Sequence, residues 1–234
     1  MNFFNILFAI LLIFLGIIVA GYGFYEPQQK YSQYQRLHYP FGGPRSHLPY
    51  EQVKKEKKLR DNYIKGLSGE NIVLNHLNTL PKNYLVFHDV QLPNGKGNID
   101  HIVVGQTGLF IIETKNYSGK YLISGNRWYY YKDNKYNEIK QNPGTQLMRN
   151  ILYLKSFLEE KGIKKSRIYA KGIVAFVQNN VSITRESENY KVLSPSAIPE
   201  YILTYRITDD EKLLAKIAME LEPHCTELTY VPKD

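Results

Sequence analysis

The stretch Asn98–Lys115, with the sequence NIDHIVVGQTGLFIIETK, predicts a β-hairpin at the centre of the fold. Two runs rich in isoleucine, valine and phenylalanine flank Gly105–Gly108, and glycines that bracket a short polar pair are typical of a tight turn. If the turn is centred on the Gln-Thr pair between these glycines, each residue of one strand has a fixed partner on the other. That register places Asp100 directly opposite Glu113.

The open end of this hairpin concentrates charge on one face. Side chains alternate along a strand, so Lys115 shares a face with Glu113. Because like charges across a ladder are destabilising, Asp100 and Glu113 suggest a bound cation. Mg²⁺ is commonly held by one or two carboxylates with waters and phosphates, and a nearby lysine can orient or deprotonate water and neutralise phosphate charge. This predicts metal-dependent phosphodiester hydrolysis; the alternative is a solvated hairpin end where Lys115 pairs with one acid.

Two motifs of the hairpin, Ile-Asp-His-Ile-Val-Val-Gly and Phe-Ile-Ile-Glu-Thr-Lys, resemble the NERD (nuclease-related) domain, a branch of the PD-(D/E)XK nuclease superfamily. The resemblance covers about Gly66–Val177. It implies an α/β, restriction-endonuclease-like core, with a mixed central sheet flanked by helices. It also implies Asp100 as the acid of the first motif and Glu113 with Lys115 as the E-x-K element. Ile99 stands where the superfamily name has proline, a position that supplies no ligand.

A glutamate before the hairpin is a further candidate ligand. The segment Gly66–Glu70 is predicted to open an amphipathic helix, with Ser68 as N-cap. From the residues alone, Glu70 complements the helix dipole in the first turn. In the nuclease superfamily a glutamate on the first helix often completes the metal site. The resemblance therefore implies Glu70 as a third ligand of Mg²⁺ or Mn²⁺, beside Asp100 and Glu113.

A second helix is predicted from Asn142, with Pro143 at its first position. Gln146 and Asn150 lie one turn apart on its more polar flank. In related nucleases a glutamine on this helix reaches the active site, so the resemblance implies that Gln146 positions water or substrate, with Asn150 as a supporting candidate. His101 follows Asp100 and is predicted to point to the opposite face of its strand, as a core or supporting histidine.

The remaining pattern predicts elements around the hairpin. A strand is expected at Tyr84–Leu92, and a buried strand at Arg167–Val177 is expected beside the hairpin. A loop is expected at 178–190. Two helices are predicted to end the chain, and the second begins with a capping box at Thr208–Glu211.

The composition suits a polyanionic partner. The net charge of +8 favours nucleic acid or an anionic membrane surface. A single cysteine excludes an internal disulfide and favours a cytosolic location for the folded part. Aromatic residues are interleaved with basic residues after residue 126, a pattern that can stack bases and track phosphates but is also ordinary for a half-exposed hairpin. The candidate nucleic-acid-binding residues are Arg127, Trp128, Lys132 and Lys135.

The N-terminal apolar run Phe3–Gly21 matches the hydrocarbon thickness of a bilayer. No lysine or arginine precedes it, which favours an uncleaved transmembrane anchor over a signal peptide. The basic downstream flank predicts a single-pass cell-membrane protein whose C-terminal domain is cytoplasmic. The predicted organisation is an anchor at 1–25, a juxtamembrane linker and basic segment at 26–65, the nuclease-like domain at 66–178, and a C-terminal strand and helices packed on the core at 179–234.

These observations favour a membrane-anchored, metal-dependent nuclease acting on DNA or RNA. One alternative is a catalytically inactive nuclease-like module that binds nucleic acid or a protein partner at the membrane. Another is a lipid-facing assembly protein whose basic linker is the active part. The acid-acid-lysine set favours catalysis, because a degenerate domain is free to lose it.

Overall fold

The computed structural model describes residues 50–93, 95, 97–205 and 210–229. The chain divides into two compact units, residues 1–61 and 62–234. The predicted anchor at residues 3–21 and most of the predicted linker lie outside the described residues. Among the helices that are described, none combines the length and the apolar character needed to span a bilayer.

The described part of the chain forms four α-helices and ten β-strands. The helices are α1 (Tyr50–Leu77), α2 (Pro143–Glu160), α3 (Ile198–Leu203) and α4 (Glu211–Leu221). The strands are β1 (Leu85–Val90), β2 (Ile99–Gly105), β3 (Gly108–Lys115), β4 (Tyr121–Ser124), β5 (Arg127–Lys132), β6 (Lys135–Ile139), β7 (Ala170–Phe176), β8 (Val181–Arg185), β9 (Tyr190–Leu193) and β10 (Glu227–Thr229).

The central sheet has six strands in the order β10-β1-β2-β3-β7-β9. The strands β10, β1, β2 and β3 pair antiparallel, whereas β7 runs parallel to β3 and β9 parallel to β7. The sheet is therefore mixed, and the buried strand predicted beside the hairpin is confirmed as β7. Strands β9 and β10, both later in the chain than residue 178, belong to this sheet.

The β2–β3 hairpin has the predicted register. Gly105 pairs with Gly108, and the ladder continues to the pair of His101 and Ile112. The next positions along the two strands are Asp100 and Glu113. Gly108 has a φ of 125°, a backbone conformation that glycine adopts at little cost. A glycine at this position of the turn therefore favours the observed hairpin.

Helices cover both faces of the central sheet. On one face, Leu147 and Leu154 of α2 pack in a cluster with Ile111 of β3. On the other, Val73 and Leu77 of α1 lie in a separate cluster with residues of the same hairpin. Each fully buried aliphatic side chain contributes about 1.5–3 kcal/mol, so these two layers supply the main driving force for the α/β fold.

Helix α2 begins where the sequence predicts. Pro143 is its first residue, and the side-chain oxygen of Asn142 accepts a hydrogen bond from the Thr145 amide at 3.0 Å. This cap satisfies one of the amides that the first helical turn leaves without a partner. The residues at the start of α2 therefore determine where this helix begins.

A second sheet has four strands in the order β6-β5-β4-β8. Strand β8 runs parallel to β4 and lies within the segment 178–190, so the prediction of a loop there is wrong. The four residues after Val181 in β8 are exposed, and such a strand lacks the apolar alternation by which strands are recognised.

The N-cap predicted at Ser68 is wrong. Helix α1 runs without a break from Tyr50 to Leu77, so Ser68 lies in its interior. A close contact explains why residue 69 is a glycine. A Cβ at Gly69 would lie 2.8 Å from the Cβ of Asn116, so the glycine allows the helix to approach the end of β3 closely. The Gly-Leu-Ser-Gly segment is a site of helix–strand contact rather than a helix start.

Replacing Gly66 and Gly69 in turn by alanine should change stability in opposite directions. Gly66→Ala is expected to raise the free energy of unfolding by about 0.5–1 kcal/mol, because nothing lies within 4 Å of its Cβ and alanine favours a helix. Gly69→Ala should lower it by about 1–3 kcal/mol through overpacking against Asn116. Urea denaturation of both variants measures the difference, and equal stabilisation by both would contradict the close contact.

The last helix has a different cap from the predicted box. Helix α4 begins at Glu211, and the carboxylate of Asp210 accepts a hydrogen bond from the Leu213 amide at 3.2 Å. Thr208 lies outside the described residues. The N-cap is therefore Asp210, two positions after the residue that begins the predicted capping box.

Candidate active site

Three charged side chains of the hairpin meet at its open end. The carboxylate of Asp100 accepts a hydrogen bond from the Thr114 amide at 2.6 Å. The ammonium group of Lys115 donates to Oε1 of Glu113. All three line one open cleft of about 520 Å³. The cleft is bordered by Asn62, Lys65, Gly66, Glu70, Asp100, Glu113, Thr114, Lys115, Asn116, Tyr117, Ser118, Tyr121 and Gln146.

Helix α2 supplies two polar side chains to this region. Asn150 is buried, and its Nδ2 donates to Oε2 of Glu113 at 3.2 Å. Both carboxylate oxygens of Glu113 are therefore held, one by Asn150 and the other by Lys115. Gln146, one turn earlier, lines the cleft itself. The structure thus brings Gln146 and Asn150 to the acids of the hairpin.

Helix α1 brings Glu70 to the same cleft, because Gly69 allows the helix to pass close to Asn116. The charge of Glu70 contributes to raising the pKa of Glu113, after the larger effects of burial and of Asp100. Within the described residues, no three His, Cys, Asp or Glu side chains form a group that could hold a metal ion. The role of Glu70 as a third ligand stays a prediction.

The two hairpin acids lie in an environment that opposes their charge. Burial raises the pKa of Asp100, which the charge of Lys115 partly offsets. Burial also raises the pKa of Glu113, and the charge of Asp100 adds to this. Two adjacent, desolvated carboxylates destabilise one another unless a cation compensates them. Their donor set consists of oxygen only and fits a hard divalent cation such as Mg²⁺, for which one or two carboxylates suffice.

Lys115 is a cation in this environment. Burial is the largest single effect and alone would lower its pKa, but the charges of Glu113, Tyr117 and Asp100 and the hydrogen bond to Glu113 together leave the pKa above its ordinary value. A protonated amine donates hydrogen bonds and does not accept a proton. Of the roles predicted for Lys115, a protonated amine fits charge neutralisation and orientation better than deprotonation of water.

Replacing Asp100 by asparagine should stabilise the protein in EDTA. The change removes the charge of a half-buried acid next to buried Glu113, and the amide oxygen can still accept from the Thr114 amide. At neutral pH we expect a gain of about 1–2 kcal/mol, which corresponds to roughly one pKa unit of interaction. Thermal denaturation in EDTA measures it, with Asp133→Asn, an exposed acid in the β5–β6 turn, as control. A loss of stability specific to Asp100→Asn would contradict the unfavourable placement of the acid pair.

His101 points away from the cleft, as predicted from strand alternation. It is fully buried, its Nδ1 lies 3.2 Å from Nδ1 of His88, and the two rings stack with centroids 4.9 Å apart. Burial, and then the charge of His88, lower the pKa of His101 to about 3, so it is neutral. His101 supports the strand that carries Asp100 without lining the cleft.

The predicted nucleic-acid-binding segment divides into buried and exposed residues. Trp128 is fully buried, and its Nε1 donates to the hydroxyl of Tyr190 at 2.9 Å. The prediction that Trp128 stacks on bases is wrong, because its side chain is packed in the hydrophobic core. Arg127, Lys132 and Lys135 are exposed on the β5–β6 hairpin, and their binding role stays a prediction.

Sequence reasoning missed the residues that extend the cleft beyond the acids. Tyr117 and Ser118, two and three residues after Lys115, line the cleft together with Lys65 of α1. The signal for Tyr117 is its position two residues after the lysine of the E-x-K element, at the point where the strand has ended. Lys65 carries no such signal, since only the path of α1 brings it there.

Comparison with known families places these residues within one domain. The model of the NERD family, the nuclease-related domain, matches residues 65–177. A protein of Bacillus anthracis, described as uncharacterized, is 48% identical over 59 residues, a match that spans 24% of this chain and 28% of that protein. No solved structure matches. The restriction-endonuclease-like character of the core therefore stays a prediction.

Proposed function

We propose that this protein, whose residues 65–177 match the model of the nuclease-related domain, is a metal-dependent nuclease that hydrolyses phosphodiester bonds in DNA or RNA. The observation that carries this proposal is the convergence of Asp100, Glu113 and Lys115 in one open cleft. The two acids offer oxygen ligands and the lysine offers a fixed positive charge. These are the groups that phosphodiester hydrolysis requires.

Asp100 and Glu113 are the residues that would hold Mg²⁺ or Mn²⁺, with Glu70 as the additional candidate ligand. A bound divalent cation would polarise the phosphate and lower the pKa of a coordinated water. Asn150 and Lys115 orient Glu113 by holding its two oxygens. This arrangement fixes the carboxylate before any ligand arrives, which is the form of support that metal-binding carboxylates need.

Two residues of the cleft can neutralise charge and orient the reactants. Hydrolysis joins the oxygen of one water to phosphorus, breaks one ester P–O bond and passes a proton to the leaving oxygen. The phosphate carries negative charge, which the Lys115 ammonium group can neutralise from the cleft wall. Gln146 lines the same cleft, and its amide can orient either the water or the substrate.

Calorimetric titration of the full chain with Mg²⁺ or Mn²⁺ tests this proposal against an inactive binding module. Wild type and Asp133→Asn should bind the ion, and Asp100→Asn should bind it at least tenfold more weakly, because one of two carboxylate ligands is lost. Equal binding by all three proteins, or none by wild type, would favour the module that binds nucleic acid or protein without a metal.

We also propose that the chain is anchored in the cell membrane by residues 3–21, with the nuclease-related domain in the cytoplasm. The support is the apolar run and the basic residues that follow it in the sequence. Alkaline extraction of membranes should leave the full chain in the pellet. Externally added protease should cleave it only after the cells are permeabilised. Release by alkali would contradict the anchor, and cleavage in intact cells would contradict the orientation.

A further inference from the structure

One wall of the cleft is an aromatic ring that is held from behind. Tyr117 lines the cleft and is 37% exposed. Its ring lies 5.6 Å from that of Tyr121, tilted by 30°, and 6.2 Å from that of Phe176 in an edge contact. Tyr121 and Phe176 are buried in the core, so they fix the inner side of the Tyr117 ring. The exposed part of the ring is left available to a ligand.

The Tyr117 ring lies next to the charged end of the hairpin. Nζ of Lys115 lies over part of this ring, 5.9 Å from its centroid. A planar group stacked on Tyr117 would therefore lie beside the lysine that faces the acids. A nucleotide has this arrangement of parts, because its base is a planar ring system and its phosphate lies one sugar away.

A second cation lies on the same side of the cleft. Nζ of Lys65 donates to the hydroxyl of Ser118, next to Tyr117 in the chain. The backbone carbonyl of Lys65 in turn accepts from Nδ2 of Asn116 at 2.9 Å. These two contacts join helix α1 to the segment after β3, so the wall that carries Tyr117 has a fixed position. One lysine therefore lies at the ring and a second contacts the residue next to it, and cations near an aromatic ring are typical of platforms that bind single strands.

The stacking surface selects for unpaired bases. In a duplex, both faces of each base are covered by its neighbours, and exposing one requires unstacking and unpairing. In a single strand, a base can turn out and stack on an aromatic side chain without that loss. Because every base has a π-face, stacking of this kind discriminates little among sequences.

We propose that the cleft binds an unpaired nucleotide whose base stacks on Tyr117, with the adjoining backbone passing Lys115 and Lys65, so that single-stranded nucleic acid is the substrate class. The expected consequence, preferred cleavage of single strands, rests on the proposed nuclease function. The binding step itself depends on the cleft alone.

Fluorescence anisotropy with short labelled oligonucleotides tests the proposal. The measurements use the full chain carrying Asp100→Asn, so that the probe is not cleaved. Adding Tyr117→Leu should weaken binding of single-stranded DNA or RNA about 5- to 100-fold, whereas Tyr117→Phe keeps the ring and should stay within about twofold. Tyr169→Leu, at an exposed tyrosine outside the cleft, is the matched control and should bind as the parent does. A blunt duplex should bind more weakly and be insensitive to Tyr117→Leu.

The outcomes separate this proposal from the nuclease function. If wild type cleaves nucleic acid and Asp100→Asn abolishes cleavage, but Tyr117→Leu leaves single-strand binding unchanged, the stacking site is wrong and the nuclease stands. If wild type cleaves nothing, yet single-strand binding depends on the Tyr117 ring, the nuclease fails and the binding site stands. Equal affinity for duplex and single strand overturns the proposed substrate class.

Discussion

Replacing Lys115 by methionine should lower the rate of metal-dependent phosphodiester cleavage about 100- to 1,000-fold, the usual loss when one group that stabilises transition-state charge is removed. Methionine keeps most of the length of the side chain but has no charge. The ammonium group donates to Glu113 and lines the cleft, so its loss removes positive charge at the position where the phosphate would lie. Initial rates on a labelled oligonucleotide measure the effect.

Two controls make the Lys115 result specific. Lys164→Met removes an exposed lysine outside the cleft and should leave the rate within about twofold. Circular dichroism of Lys115→Met shows whether the fold survives the loss of the partner of Glu113. A well-folded Lys115→Met protein that cleaves at the wild-type rate would exclude this lysine from the reaction.

Replacing Trp128 by alanine should lower the free energy of unfolding by about 3–5 kcal/mol, the usual range for a large aromatic side chain removed from a core. Trp128 is fully buried, its ring centroid lies 6.0 Å from that of Phe176, and its Nε1 bonds to Tyr190. The substitution leaves a cavity and removes the donor for Tyr190. Urea denaturation of the full chain measures the loss.

Tyr131→Ala is the matched control for Trp128, since Tyr131 lies on the same strand and is 37% exposed. It should change the free energy of unfolding by less than about 1 kcal/mol. A Trp128→Ala protein with wild-type stability and weakened nucleic-acid binding would contradict the buried position. It would favour the base-stacking role that the interleaved aromatic and basic residues predict.

The features that local sequence determines were predicted correctly. The turn between Gly105 and Gly108 fixes the register of the hairpin, and the register in turn places Asp100 beside Glu113. Asn142 and Pro143 determine the start of α2 in the same way. In these cases the residues that specify the element are adjacent in the chain, so a pattern of a few residues contains the information.

The features that depend on distant residues were not predictable. Trp128 is buried through contacts with Phe176 and with Tyr190, which is 62 residues away in the chain. Helix α1 continues through Gly66 and Gly69, and the second glycine matters only because β3 ends beside it. A pair of glycines in a sequence is compatible with either a helix start or a close contact. Only the segment that packs against the glycines distinguishes the two.

The candidate site combines residues placed by local sequence with residues placed by contacts between distant segments. Asp100, Glu113 and Lys115 come from one hairpin and could be placed together from the sequence. Asn150 reaches Glu113 only because α2 packs on the sheet at one particular rotation. Tyr117 enters the cleft through the path of the chain after β3, which the strand pattern does not specify.

The most direct test of the central claim is cleavage of labelled DNA and RNA, single-stranded and duplex, by the full chain in Mg²⁺ or Mn²⁺ and in EDTA. Parallel reactions use Asp100→Asn and the control Asp133→Asn. We expect cleavage that requires the metal, is abolished by Asp100→Asn and is retained by Asp133→Asn, with single strands cut faster than duplex. Cleavage that persists in EDTA or in Asp100→Asn, or a wild-type protein that binds nucleic acid but cuts none of these substrates, would contradict it.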